Sequence, residues 1–129
     1  MSNLDKKSII GVAALLVHAA KIDEQYSSQE KKIIKEFIQS FLKEGNIEEI
    51  LNKAEQMEES SNQLLNFTNI IKENTTEVKK NIIEQLWKII ISDNKVDQYE
   101  SNLMRRICGL IYFPDKICAE IKLNLLKNK

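Results

Sequence analysis

Glycine and proline are scarce in this chain of 129 residues, which holds three glycines and one proline. Strand connections, tight hairpins and phosphate-binding loops consume both residues, because they need bends and backbone angles that other residues resist. The sequence also lacks a G-x-G-x-x-G run and a G-x-x-x-x-G-K-[ST] run. We therefore expect neither an all-β domain nor a Rossmann unit nor a P-loop.

An excess of charge is also absent, because nineteen basic and nineteen acidic side chains cancel. Proteins that bind phosphate backbones normally carry a clear cationic excess, so we expect no nucleic-acid partner. The length fits one domain, spanning residues 1–129, with a core of moderate size.

Cysteine is rare as well, with Cys108 and Cys118 as the two examples. Two cysteines are too few for a disulfide scaffold, and without a C-x-x-C pair the sequence has neither a zinc ribbon nor that type of redox motif. Both lie in apolar stretches with helical spacing, so we predict a buried thiol pair.

The amino terminus resembles a signal peptide, since Lys6 and Lys7 precede the apolar residues 9–17 and Ala19-Ala20 follow. The apolar run is far shorter than the ~20 residues that span a bilayer. A sequence repeat, described below, includes this segment in the folded unit. We predict a buried helix of a cytoplasmic protein, without membrane insertion.

Apolar residues recur with helical spacing almost throughout, which predicts a compact all-α bundle of about seven short helices. We place the first from about Asp5 to Ile22, the second from Ser27 to near Gly45, a third after Asn46, a fourth around 64–71, a fifth over 76–92, a sixth over 97–112 and a last from Pro114. Trp87 should lie in the core. Residues 44–59, with six glutamates and one lysine, indicate a solvated helix face.

An internal duplication becomes visible when the chain is shifted by 70 residues against itself. The shift relates residues 5–42 to residues 75–112, each a helix, a short turn and a second helix. Both turns read Asp-x6-Glu. The matched pairs are Leu16 with Leu86, Asp23 with Asp93, Glu30 with Glu100 and Phe37 with Ile107.

The acidic residues of the turns have two explanations. Ser27-x-x-Glu30 has the form of a capping box, and Asp97-x-x-Glu100 is the same device with aspartate as the cap. Asp23 and Asp93 follow helices, where the macrodipole disfavours an anion by about 0.3–1 kcal/mol. They are explained by an Asx-type turn or by a bound cation.

The segment from Leu15 to Ile34 and the segment from Ser92 to Met104 resemble the repeated signature of the tellurite-resistance TerB-like family. That signature is a small residue, Asp, Gly, a variable residue, an aliphatic residue, two or three variable residues, Glu and an apolar helix. This sequence departs from it: Glu24 and Asn94 replace the glycine, and Ile22 replaces the small residue. Because Asn tolerates a left-handed backbone better than Glu, we expect a different shape for the first turn.

The resemblance implies a seven-helix cytoplasmic bacterial domain linked to stress response. It also implies a divalent metal held by acidic residues of the two turns, which here are Asp23, Glu30, Asp93 and Glu100. Carboxylate oxygens suit Ca²⁺, Mg²⁺ or Mn²⁺. His18, the single histidine, is better explained as a partly buried or surface residue than as a ligand.

Function follows less directly than fold. We do not expect an enzyme, because no catalytic motif surrounds a serine or cysteine and a single histidine offers little acid–base chemistry. A hydrolytic site built from carboxylates is the one type of active site that the sequence leaves open. We expect a module that binds a metal, protein partners, or both. The alternative is a purely structural interaction module or homodimer, in which the turns cap helices. A third is a co-chaperone-like domain near membranes, which the absence of such an attached region disfavours.

Overall fold

The computed structural model describes residues 6–21, 28–42, 45–61, 65–91 and 98–127, and the side chains at 65 and 98–101 lie outside that description. Within these ranges the chain forms helices and turns, without a strand. The helices are α1 (Lys6–Ala20), α2 (Ser28–Phe41), α3 (Ile47–Ser60), α4 (Leu65–Lys72), α5 (Thr76–Ile91), α6 (Gln98–Leu110) and α7 (Asp115–Lys127). The prediction of an all-α fold of seven helices is confirmed.

Helix α1 occupies the centre of the bundle, where it contacts α2, α3, α4 and α5. From Gly11 to Val17 every residue is buried, so the helix is apolar around its circumference. The apolar stretch that resembles a signal peptide is therefore core, as predicted, and its burial favours folding by about 25 cal/mol per Å² of apolar surface. None of the helices in the described ranges combines the length and apolar character that a bilayer crossing requires.

The helix boundaries reproduce the predicted repeat. Helices α1 and α5 begin 70 residues apart, at Lys6 and Thr76, and so do α2 and α6, at Ser28 and Gln98. Matched positions are buried in both halves, as for Leu16 with Leu86 and Phe37 with Ile107. The repeat extends one helix further than predicted: α3 contacts α1 and α2, and α7 correspondingly contacts α5 and α6.

Local side-chain and backbone interactions set several helix ends. The side chain of Asn46 accepts hydrogen bonds from the backbone N–H groups of Glu48 and Glu49, which confirms it as the cap of α3. The hydroxyl of Thr75 accepts in the same way from the N–H of Val78 at the start of α5. Helix α2 ends at Phe41, earlier than predicted, and Gly45 has a φ of 130° in the turn that follows.

The α6–α7 turn also differs from the prediction, because α6 ends at Leu110 rather than at Tyr112. Tyr112 adopts a left-handed φ of 59°. The N–H of Phe113 then donates to the carbonyl of Cys108 at 2.8 Å, and the N–H of Tyr112 donates to Gly109 at 3.4 Å. This pair of bonds is a Schellman motif. With Pro114 directly before α7, it reverses the chain within four residues and brings α7 back onto α6.

Candidate functional site

The structure describes two of the four predicted metal ligands and leaves the other two outside its described ranges. Asp23 and Asp93 lie outside them. Glu30 and Glu100 lie in the first turns of α2 and α6, at matched positions of the repeat, and the side chain of Glu100 is outside the description. Whether the four carboxylates converge therefore stays a prediction.

Glu30 is the member of this set whose side-chain environment is defined. It is 4% exposed and belongs, with Thr68, to the buried polar residues of the described chain. A buried carboxylate costs free energy unless hydrogen bonds or an opposite charge compensate it. The start of a helix supplies part of that compensation through its unpaired N–H groups and its dipole. Glu30 also takes part in an interaction with other groups of the protein.

Within the described ranges, no three residues among histidine, cysteine, aspartate and glutamate are grouped so that they could hold a metal ion. A metal centre built from Glu30 therefore needs ligands from outside the described side chains, and the predicted Asp23, Asp93 and Glu100 are among those. Such a set would offer oxygen donors alone, which fits Ca²⁺, Mg²⁺ or Mn²⁺.

A second group of charged side chains lies at the carboxyl end of α1, directly before the first turn. Glu58 of α3 accepts a hydrogen bond from the Lys21 ammonium at 2.9 Å, and its other oxygen lies 3.3 Å from Nδ1 of His18. Because an ionised carboxylate only accepts, the Nδ1 atom is the donor. Burial alone raises the pKa of Glu58, but the hydrogen bonds from Lys21 and His18 outweigh it and leave the pKa below the ordinary 4.5.

This group corrects one prediction and confirms another. The glutamate-rich face of α3 is not uniformly solvated, because the side chain of Glu58 is 13% exposed and joins α3 to α1. His18, by contrast, is partly buried at 38% exposure, as predicted. The sequence shows His18 and Lys21 one helical turn apart, but only the packing of α3 selects Glu58 from six neighbouring glutamates.

Cys108 of α6 and Cys118 of α7 are buried and not joined by a disulfide, which confirms the predicted thiol pair. The side chain of Cys118 is the largest influence on the pKa of the Cys108 thiol. The indole N–H of Trp87, from α5, donates to Sγ of Cys118 at 3.3 Å. The predicted core position of Trp87 is confirmed by its 4% exposure, and the core tryptophan has a polar partner that the sequence did not indicate.

A groove of about 440 Å³ opens over this pair, between α5, α6 and α7. Cys118 contributes to its wall, while Cys108 lies behind it in the core. The cation of Lys122 lies 5.3 Å from the centre of the Trp87 ring. The residues that line the groove include Trp87, Met104, Arg105, Asp115, Cys118 and Lys122.

The environments of the two thiols differ. The pKa of Cys118 is lowered to about 7, chiefly by its interaction with the Cys108 thiol and also by the hydrogen bond from the Trp87 N–H, while burial acts in the opposite direction. The same interaction between the thiols raises the pKa of Cys108, as does its burial. A negative charge on this pair is therefore favoured on Cys118, with Cys108 as the neutral thiol.

Comparison with known proteins identifies a family. The family model described as tellurite resistance protein TerB matches residues 10–123, a range that includes both Asp-x6-Glu segments of the repeat. Neither a curated protein nor a solved structure matches the chain significantly.

Proposed function

The chain belongs to the TerB family, and from this premise we propose that it is a cytoplasmic helical module of a stress response that binds a divalent metal. Asp23, Glu30, Asp93 and Glu100 are the proposed ligands. The bound cation supplies positive charge that compensates these carboxylates and links the two halves of the repeat. TerB domains are not a known enzyme family, and the proposed role is binding rather than catalysis.

The observation that carries this proposal is the burial of Glu30 at the start of α2. A glutamate whose only task is to cap a helix satisfies its backbone partner at the protein surface equally well. Burial removes the carboxylate from water and makes a nearby cation more favourable, because charges attract more strongly in a medium of low dielectric constant. The matched position of Glu100 in α6 provides the same type of donor in the second half.

The first experiment measures thermal unfolding of the full chain with and without millimolar Ca²⁺, Mg²⁺ or Mn²⁺. A metal present at a hundred times its Kd stabilises the native state by about 2.7 kcal/mol. For a chain of this size that corresponds to a Tm increase of roughly 10 °C. The Asp23→Asn/Asp93→Asn variant should lose this increase, while Glu77→Gln, at an exposed carboxylate in the first turn of α5, should keep it.

The second experiment separates metal binding from helix capping at Glu30. Glutamine also completes a capping box, so Glu30→Gln should change the metal-free Tm little if Glu30 serves as a cap. If the carboxylate is a ligand, the same variant should lose most of the metal-induced increase. A Tm that no metal raises, or an increase that survives in both variants, contradicts the proposed metal site and leaves the fold unaffected.

A second candidate function is a protein-interaction module that forms a homodimer. The observation that favours it is on α7, where Leu123 is 63% exposed and Leu126, one turn further, is 42% exposed. Neighbouring exposed leucines are typical of contact surfaces. Light scattering after size exclusion should show a dimer that the Leu123→Ser/Leu126→Ser variant weakens. A strict monomer across a wide concentration range contradicts this candidate.

A further inference from the structure

The two cysteines form an asymmetric pair. Cys118 lines the groove between α5, α6 and α7, while Cys108 is fully buried behind it. An oxidant that enters the groove therefore meets Cys118 first. The side chain of each cysteine is the largest influence on the pKa of the other, and α6 packs against α7, so Cys108 is the neighbouring thiol available to a modified Cys118.

We propose that Cys118 and Cys108 are a redox-sensitive dithiol, in which Cys118 reacts with a hydroperoxide that enters the groove and Cys108 then closes a disulfide. This inference is independent of the proposed metal site, because none of the four carboxylates is used.

The chemistry takes place in two balanced steps. The Cys118 thiolate attacks one oxygen of the hydroperoxide, the O–O bond breaks, and the products are the Cys118 sulfenic acid and an alkoxide that takes up a proton. The Cys108 sulfur then attacks the Cys118 sulfur, an S–S bond forms, and the hydroxyl group leaves as water with the Cys108 proton. In total, two thiols are oxidised and one hydroperoxide is reduced to an alcohol, or to water when the oxidant is hydrogen peroxide.

The surroundings of Cys118 favour the thiolate that this chemistry requires. The Trp87 N–H donates to its sulfur, and Lys122 favours the negative charge on it. Asp115 acts in the opposite direction, and Arg105 of α6 lies on the same groove. Because the pKa of Cys118 is lowered from 9.0 to about 7, its thiolate is more populated at neutral pH than that of an ordinary thiol.

The first test is mass spectrometry of the reduced full chain after hydrogen peroxide treatment. The expected product is a monomer that has lost two hydrogens, with a disulfide that joins Cys108 and Cys118. In Cys108→Ser, which retains a hydroxyl donor, the sulfenic acid of Cys118 should persist and be trapped by dimedone. Cys118→Ser should give at least tenfold less adduct in the same time. Equal adduct in the two variants, or no intramolecular disulfide in the wild-type chain, overturns the proposal.

A second test needs no cysteine substitution. Because Trp87 is the single tryptophan of the chain and contacts the Cys118 sulfur, its fluorescence should change during oxidation and return when a reductant is added. Alkylation of Cys118 by iodoacetamide should rise with a midpoint near pH 7. Trp87→Phe removes the N–H donor and should slow alkylation at pH 7 several-fold, while Met104→Leu, at the same groove, should not. Unchanged fluorescence, or equal rates in both variants, contradicts the proposed geometry.

Discussion

Gly11 offers a stringent test of how α1 packs against the rest of the bundle. This residue is buried in α1, and a Cβ atom added there would overlap Cδ1 of Ile70 in α4. The other two Ile70 atoms near this position, Cγ1 and Cγ2, would lie at 3.5 and 3.6 Å, which are ordinary contact distances. The Cδ1 methyl group of Ile70 therefore occupies the space that a side chain at position 11 would need.

The expected magnitude is the difference between two opposing effects. Replacing glycine by alanine inside a helix stabilises the protein by about 1 kcal/mol, because the unfolded backbone loses freedom. Forcing extra volume into a packed site costs about 1–3 kcal/mol. Gly11→Ala should therefore destabilise the protein by up to about 2 kcal/mol. In the Ile70→Val background, which lacks Cδ1, the same substitution should instead stabilise it by up to about 1 kcal/mol.

The assay is a double-mutant cycle of Gly11→Ala and Ile70→Val, measured by equilibrium unfolding in urea. Gly109→Ala serves as the control, since a Cβ at this exposed position of α6 meets nothing within 4 Å. The control should be neutral or stabilising by up to about 1 kcal/mol in either background. If Gly11→Ala stabilises the wild-type protein as much as the control does, or if the cycle is additive, the inferred contact between α1 and α4 is wrong.

Two further substitutions test interactions away from that contact. Glu58→Gln should cost about 1 kcal/mol at pH 7, since it weakens two charge-assisted hydrogen bonds, while the exposed Glu59→Gln should cost little. Because the pKa of Glu58 is lowered in the folded protein, its contribution to stability is complete above about pH 4.5 and is lost as the pH falls through the folded pKa. A destabilisation by Glu58→Gln that persists unchanged at pH 2 would contradict this assignment. Asn46→Ala should lower the free energy of unfolding in urea by about 1 kcal/mol, because α3 loses a cap that accepts hydrogen bonds from two N–H groups. A change below the error of the measurement would show that water replaces the cap fully.

The helices and their repeat were determined by the sequence itself. Apolar spacing in residues 9–17 is sufficient to predict a buried α1, and the shift of 70 residues predicted matching starts for α2 and α6. Both signals are local, because the 3.6-residue period and the capping side chains act within one or two helical turns. The proposed metal ligands were inferred from the same repeat, and two of them, Asp23 and Asp93, lie outside the described ranges.

Only the tertiary structure selected the partners across helices. Glu58 is 40 residues from His18, and Trp87 is 31 residues from Cys118. Neither separation carries a sequence signal, since helix periodicity defines which face is apolar but not which neighbouring helix covers it. The direction in which α3 crosses α1 decides that Glu58, rather than Glu59, is shielded from water. The Schellman turn at Tyr112 likewise brings α7 onto α6, and this places a groove over one thiol while the other stays in the core.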